Sequence, residues 1–157
     1  MTMLTRRLRK RARQVPEVLI VVAVALCVEV GLRITTLPRL ARLLGAPLAA
    51  GSGQSVPTPP TEGGDRPATL PVGARRSVRA TMAVMRRWPL GDTCLRQALV
   101  SGQRLRRLGP LLHVGVAKAG GEVRAHAWLT VGDIVIDPLR AAADYLPLGV
   151  PPSGPTS

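Results

Sequence analysis

Residues 111–137, LLHVGVAKAGGEVRAHAWLTVGDIVID, constrain the fold of this chain more than any other stretch. Apolar residues alternate with others along 122–131, and a second apolar run follows at 134–136; Gly120-Gly121 and Gly132-Asp133 separate the three runs of this stretch. Gly-Gly and Gly-Asp between two such runs are typical of two-residue hairpin turns. The sequence therefore predicts three consecutive antiparallel strands, over residues 111–118, 122–131 and 134–138.

The second hairpin is expected to bring His126 close to Asp137. A two-residue turn pairs Val131 with Ile134 and places Trp128 opposite Asp137. His126 lies two residues before Trp128, hence on the same face and diagonal to Asp137. Diagonal neighbours are about 7–8 Å apart at Cα, which is within reach of an imidazole and a carboxylate.

The first hairpin extends the pattern, because its turn places Gly115 opposite His126 and His113 opposite Trp128. One face of the predicted sheet is then apolar: Val114, Val116, Val123, Ala125, Ala127, Leu129, Val131, Ile134 and Ile136. The other face carries His113, Gly115, Arg124, His126, Trp128, Thr130 and Asp137. A shift of one residue would mix the two sets, so the pattern itself supports this register.

A helix is predicted just before the strands, in GDTCLRQALVSGQRLRRLGP. Asp92 or Thr93 supplies its N-cap, and Cys94 falls in its first turn. Its buried stripe is predicted to be Leu95, Ala98, Leu99, Gly102 and Leu105, with Arg96, Arg104, Arg106 and Arg107 facing outward. Unpaired N–H groups and the helix dipole stabilise an anion in the first turn, so the position favours a thiolate.

Cys94, His126 and Asp137 together predict a nucleophile, a base and an orienting carboxylate. His126 would deprotonate the thiol and later protonate the leaving amine, while Asp137 would fix the imidazole tautomer. Each residue alone also has a purely structural explanation, as a cap-proximal thiol, a core histidine and a strand-end aspartate. Two cysteines and two histidines do not have zinc-site spacing, so no metal is expected.

The N-terminal part begins with a basic segment, which is followed by eleven consecutive apolar residues at 18–28. A membrane-spanning helix needs about 20 apolar residues, so this run favours a buried core helix starting near Pro16 and Glu17. A membrane-associated helix and a cleaved signal remain alternatives. A second short helix is predicted in PRLARLLG, from Pro38 to Gly45.

Composition divides the chain into four parts. Residues 1–45 form an N-terminal helical segment that packs on the core. Residues 46–74, rich in Pro, Gly, Ser and Thr, form a linker or exposed loop. Residues 75–145 form the catalytic core, which starts with an amphipathic helix ending at Pro89. Residues 146–157 form a flexible tail.

The net charge of +13 comes almost wholly from arginine and favours either an acidic partner or a solvated basic surface. Aromatic residues make up only 2% of the chain and Phe is absent. Proteins that read single-stranded nucleic acids depend on aromatic stacking, so nucleic acid is not an expected partner.

The chain resembles the B2 proteins of lasso-peptide biosynthesis, cysteine peptidases with a transglutaminase-like, papain-like fold. The matching stretches are RLARLLG, CLRQALVSGQRLRRLG and GVAKAGGEVRAHAWLTVGDIVIDP, within residues 17–45 and 75–140. The resemblance implies an α+β fold, in which N-terminal helices precede a catalytic helix packed on a small antiparallel sheet. It assigns Cys94 as nucleophile, His126 as base and Asp137 as the third member.

The resemblance also implies that the protein removes the leader from a ribosomally made precursor peptide. A leader-binding B1 protein and a macrolactam-forming cyclase would be its partners, no cofactor is expected, and the location would be cytoplasmic. Membrane association through the first helix remains an alternative. Trp128, His113 and Gly115 are candidate substrate-binding residues. The other functional hypotheses are a transglutaminase-like acyltransferase acting on another substrate and a basic binding protein without chemistry.

Overall fold

The computed structural model describes residues 15–49, 70–91, 93–119, 121–137, 139 and 141–148. In these residues the helices are α1 (Val15–Ile34), α2 (Leu37–Leu43), α3 (Val72–Met85) and α4 (Cys94–Leu105). The strands are β1 (Leu111–Ala119), β2 (Glu122–Val131), β3 (Ile134–Ile136) and β4 (Leu146–Pro147), with 3-10 turns at Arg106–Leu108 and Ala142–Asp144. The predicted α+β fold class, with helices preceding a small antiparallel sheet, is confirmed. Asp92, residues 50–69 of the predicted linker and residues 149–157 of the predicted tail lie outside the described residues.

The sheet has the strand order β3-β2-β1-β4 and the predicted register. Gly115 pairs with His126 across β1 and β2, and Val131 pairs with Ile134 across β2 and β3. Gly121 and Gly132 have φ values of 87° and 54° at the two turns. Residues with a Cβ rarely adopt this backbone conformation, which explains why glycine occurs at both turns.

The outer edge of β1 is covered by two segments that the sequence did not assign to the sheet. β4 lies in the predicted tail and pairs with Gly115 and Val116. Leu48, in the predicted linker, forms a parallel bridge with Leu112. The exposed N–H and C=O groups of an edge strand need partners, and these two short segments supply them.

The helices pack on the apolar face of the sheet and form one core with it. The buried core residues include Val21, Val28, Leu40, Met85, Leu99, Val100, Leu112, Ala127 and Leu129. α4 approaches closely at Gly102, where a Cβ would lie 2.6 Å from the Ala46 Cβ and 3.6 Å from Leu129. A larger residue at Gly102 would therefore clash with Ala46, in the segment after α2, whereas Leu129 of the sheet lies at ordinary contact distance.

The second face of the sheet is also buried, which the simple division into an apolar and a polar face did not predict. His113, His126, Trp128 and Thr130 project from this face and are all buried. The turn at Ala142–Asp144 and β4 lie against it, since Tyr145 contacts His126 and Leu146 approaches Gly115. By contrast Val123, which belongs to the apolar face, is 73% exposed at the far end of the first hairpin.

α1 is longer than its apolar run and is joined to α4 by ion pairs. Glu17 pairs with Arg104, and Glu29 pairs with Arg96, so the two helices run antiparallel. The prediction that Arg96 and Arg104 face outward is therefore wrong, because both reach back to carboxylates of α1. By length and composition, α1 could cross a membrane, and among the described residues no other helix could. About a third of its apolar 18-residue window is buried inside the protein.

Candidate active site

A histidine and an aspartate form the centre of the site, as the strand register predicted. His126 Nε2 lies 2.9 Å from Asp137 Oδ1, and the side chains of both residues are only 3% exposed. β2 supplies the imidazole, and the chain supplies the carboxylate directly after β3. The turn between these two strands thus determines the distance between the two groups.

Backbone hydrogen bonds hold the Asp137 carboxylate in place. Oδ1 accepts the N–H of Leu139 at 3.0 Å, and Oδ2 accepts the N–H groups of Ala141 and Ala142 at 2.6 and 2.7 Å. A carboxylate that accepts several N–H groups has no proton to donate, so His126 Nε2 must carry the proton of their shared hydrogen bond. The Nδ1 lone pair of His126 is then the basic nitrogen of the site.

Trp128 lies between the two histidines of the chain. Its ring centroid is 5.5 Å from that of His113 and 5.8 Å from that of His126, with interplanar angles of 7° and 22°. His113 Nε2 also lies 2.9 Å from Thr130 Oγ1. Burial lowers the pKa of His113 below its ordinary value of 6.5, so this imidazole is held neutral.

Cys94 is the first residue of α4 and is half-buried. Thr93 is the N-cap, and its Oγ1 accepts the N–H of Arg96 at 3.4 Å. The predicted position of the thiol at a capped helix start is therefore the observed one. Asp92, the alternative cap, lies outside the described residues.

The structure pairs His126 with Asp137 but does not show the complete triad. Among the described residues, no hydrogen bond joins the Cys94 sulfur to the His126 imidazole. α4 packs against the face of β2 that carries Ala127 and Leu129, whereas His126 projects from the other face because side chains alternate along a strand. Among the described residues, the pairing of β3 with β2 covers residues 129–131 and ends before His126.

A partly buried ionic cluster surrounds Arg96, two residues after Cys94, and no sequence pattern indicated it. The Glu29 carboxylate receives two hydrogen bonds from the Arg96 guanidinium and one from Trp88 Nε1 at 3.2 Å. The hydrogen bond from Arg96 lowers the pKa of Glu29, although burial acts in the opposite direction. The acidic residue after a long apolar run was a visible signal, but nothing in the sequence indicated its partner 67 residues away.

The candidate substrate-binding residues are all buried. Trp128 is 0% exposed, and a Cβ at Gly115 would lie 2.9 Å from both the Trp128 ring and the Leu146 carbonyl oxygen. His113 lines an apolar cavity of about 220 Å³ at the outer edge of β1. Their role in substrate binding stays a prediction. The sequence analysis also missed Tyr145, whose ring centroid lies 5.1 Å from that of His126.

No group of three or more potential metal-ligating side chains occurs in the part of the chain that the structure describes. The candidate nucleophile of the site is the Cys94 thiol at the start of α4, and its candidate base is the His126 imidazole, which Asp137 orients. This combination suits attack on a carbonyl carbon through a thioester.

Comparison with known protein families agrees with this chemistry. The profile of the transglutaminase-like superfamily matches residues 19–149, which is most of the chain. The chain is a member of the transglutaminase-like superfamily. No characterised protein and no solved structure matches it.

The residue types of the candidate site are those that enzymes of the transglutaminase-like superfamily generally use. The superfamily includes cysteine peptidases and acyltransferases, and its enzymes generally use cysteine, histidine and aspartate. Its profile spans α1 as well as the sheet, so the first helix belongs to the domain. The family does not by itself distinguish hydrolysis from acyl transfer.

Proposed function

We propose that this transglutaminase-like protein is a cysteine peptidase in which Cys94 attacks a peptide carbonyl and His126 and Asp137 assist. The observation that carries the proposal is the buried His126–Asp137 pair, in which Asp137 leaves Nδ1 of His126 as the basic nitrogen. A thiol at the start of α4 is the nucleophile that this pair would serve.

Each step of the reaction uses a group of the site. His126 Nδ1 takes the thiol proton, and the Cys94 sulfur attacks the carbonyl carbon. The amide C–N bond breaks as His126 returns the proton to the leaving amine, which leaves a thioester on Cys94. Water, deprotonated by His126, then releases the acid and regenerates the thiol. Asp137 stabilises the imidazolium formed in both halves of the reaction.

The sulfur must reach Nδ1 for this chemistry. We propose that it does so across the edge of β2 beyond the Leu129–Ile136 pair, where β3 provides no neighbouring strand. The half-buried position of Cys94 and the short length of β3 support this approach.

Alkylation kinetics test whether Cys94 and His126 act together. Cys27 is exposed and Cys94 is half-buried, so accessibility alone predicts faster reaction of Cys27 with iodoacetamide. Activation by His126 predicts the reverse order, because the thiolate is the reactive form. We expect His126→Ala to slow alkylation of Cys94 by about tenfold or more, as measured by mass spectrometry of both cysteine peptides. If His126→Ala leaves the alkylation rate of Cys94 unchanged, Cys94 and His126 do not act together. The alkylation rate of Cys27 is the internal control.

As the substrate we propose a ribosomally made lasso precursor peptide, from which the leader is removed in the cytoplasm. A leader-binding B1 protein would deliver the precursor, and a cyclase would use the freed amine. The order of Cys94, HAW at 126–128 and Asp137 supports this proposal. The test is mass spectrometry of a precursor encoded beside the gene, incubated with the leader-binding protein and either the wild-type chain or Cys94→Ala. If the precursor stays intact with the wild-type chain as well as with Cys94→Ala, the peptidase proposal is wrong.

An acyltransferase is the second candidate, because the superfamily includes such enzymes. A thioester on Cys94 can be released by an amine as well as by water. Adding methylamine to the same assay distinguishes the two outcomes: a peptidase yields the free acid, whereas an acyltransferase yields the methylamide. If the wild-type chain forms neither product and alkylation shows no activation of Cys94, the chain is a basic binding protein.

A further inference from the structure

The outer side of α1 exposes a continuous apolar surface. Val15, Leu19, Leu26, Val30 and Ile34 are between 53% and 77% exposed, and their spacing of four and seven residues puts them on one side of the helix. We call these five residues the outward stripe of α1. It runs for about 28 Å, the length of the helix.

No described residue of the chain covers the outward stripe. A helix that is apolar on all sides is usually buried on all sides. The opposite side of α1, with Val21, Val24, Ala25 and Val28, packs into the core. Single exposed apolar residues are ordinary, but a contiguous patch of this kind marks an interaction surface.

We propose that α1 docks in the plane of an anionic membrane, with the outward stripe buried among the lipid chains. Six basic residues and no acidic residue lie in the fourteen residues before α1: Arg6, Arg7, Arg9, Lys10, Arg11 and Arg13. A cluster of four to eight basic residues directly beside an apolar helix favours binding to anionic lipids. An apolar stripe and a basic flank together match both layers of such a membrane surface.

A membrane-spanning α1 and a dimer through the outward stripe both fit the charges of the protein less well. If α1 crossed the membrane, Glu17 and Glu29 would either lose Arg104 and Arg96 or bring them into the hydrocarbon. A second copy on the stripe would bring together two chains that each carry a net charge of +13. The same positive charge instead favours binding of the chain to an anionic bilayer. The proposal does not depend on the proposed function.

Vesicle binding by the full chain tests the proposal. We expect it to cosediment with vesicles of phosphatidylcholine and phosphatidylglycerol but not with phosphatidylcholine alone, and to dissociate as salt is raised. The double variant Leu19→Gln/Leu26→Gln should lower the partition coefficient more than about tenfold, because two exposed apolar side chains no longer enter the bilayer. The control Val72→Gln/Val123→Gln changes two apolar residues that are 72% and 73% exposed elsewhere, and it should bind like the wild type.

A fluorescent label reports the orientation of the helix. Cys27 lies beside the stripe and is exposed, and Cys94→Ser makes it the single cysteine for a polarity-sensitive dye. We expect a blue shift with anionic vesicles only. Equal binding to neutral vesicles, no binding, or equal losses in both double variants would overturn the proposal. A wild-type dimer in light scattering that the stripe variant converts to a monomer, without vesicle binding, would also overturn it and assign the stripe to a second copy.

Discussion

At the scale of single residues, Asp137 does more than orient an imidazole. Its two oxygens accept three backbone N–H groups in addition to the His126 hydrogen bond. The carboxylate therefore stabilises the chain between β3 and the turn at Ala142–Asp144, which covers the second face of the sheet. A change at this residue should affect folding as well as catalysis.

Asp137→Asn should lower the free energy of unfolding by about 2 kcal/mol, because its amide group would face N–H donors and leave them unpaired. Asp133→Asn is the matched control, since Asp133 is exposed in the turn between β2 and β3. Urea unfolding measures both variants. If the two variants unfold at the same midpoint as the wild type, the anchoring role of Asp137 is wrong.

Gly115 limits the space beside the ring stack. A Cβ there would lie 2.9 Å from the Trp128 ring, which lies on His126. Gly115→Ala should therefore lower the free energy of unfolding by about 1–3 kcal/mol through overpacking. It should also shift the position of the buried Trp128 ring. Gly73→Ala is the control, because a Cβ at Gly73 has no neighbour within 4 Å. Thermal unfolding and tryptophan emission measure the difference, and equal behaviour of the two variants would contradict it.

At the scale of elements, two ion pairs join α1 to α4, and one of them lies close to the start of α4, where Cys94 is found. The Glu29 side chain is 9% exposed and that of Arg96 is 22% exposed, whereas the side chains of Glu17 and Arg104 are 25% and 18% exposed, so the two pairs differ in the burial of the carboxylate. Removing one partner of a buried ion pair leaves a charge without compensation, while partly exposed pairs contribute little. The Glu29–Arg96 pair is therefore the stronger of the two connections.

Glu29→Ala should lower the free energy of unfolding by about 2 kcal/mol, and Glu17→Ala by less than about 1 kcal/mol. Only Glu29→Ala should also slow alkylation of Cys94, because Arg96 lies in the same first turn of α4. Urea unfolding and the alkylation assay measure the two effects. If both variants lose the same free energy of unfolding, the Glu29–Arg96 pair is not the stronger connection between α1 and α4.

The elements differ in how well the sequence predicts them. Residues 111–137 combine an alternating central run with two turns that contain glycine, so their strands and register follow from the local pattern alone. β4 has only two residues, and its pairing depends on the free edge of β1 rather than on a pattern of its own. The partners of Arg96 and Arg104 depend on how α1 packs, which local sequence does not determine.

At the scale of the whole molecule, the second sheet face becomes a second buried layer once the C-terminal segment covers it. Alternation predicted which residues share that face, including His126 and Asp137. It could not predict their burial, because the covering residues follow Asp137 without a periodic pattern. The position of Cys94 relative to His126 likewise depends on how α4 packs beside β2, which the local sequence does not determine, so the complete triad stays a prediction.

Burial of His113 on this face makes the stability of the whole protein sensitive to acid. Its pKa is lowered in the folded state, so below about pH 6.5 the unfolded chain binds a proton that the folded chain does not. Unfolding therefore becomes easier as pH falls through this range. Glu29, whose pKa is also lowered, adds a second loss of stability below about pH 4.5.

His113→Gln should remove the first stage of this acid sensitivity, and Glu29→Gln the second. Urea midpoints of the wild type and both variants at about pH 7.5, 5.5, 4.5 and 3 separate the stages, each limited to about 1.4 kcal/mol per pH unit for one proton. The slope against pH is the readout, so a variant that is less stable at every pH remains informative. A wild-type slope between pH 7.5 and 5.5 that persists in His113→Gln would assign the first stage to another group.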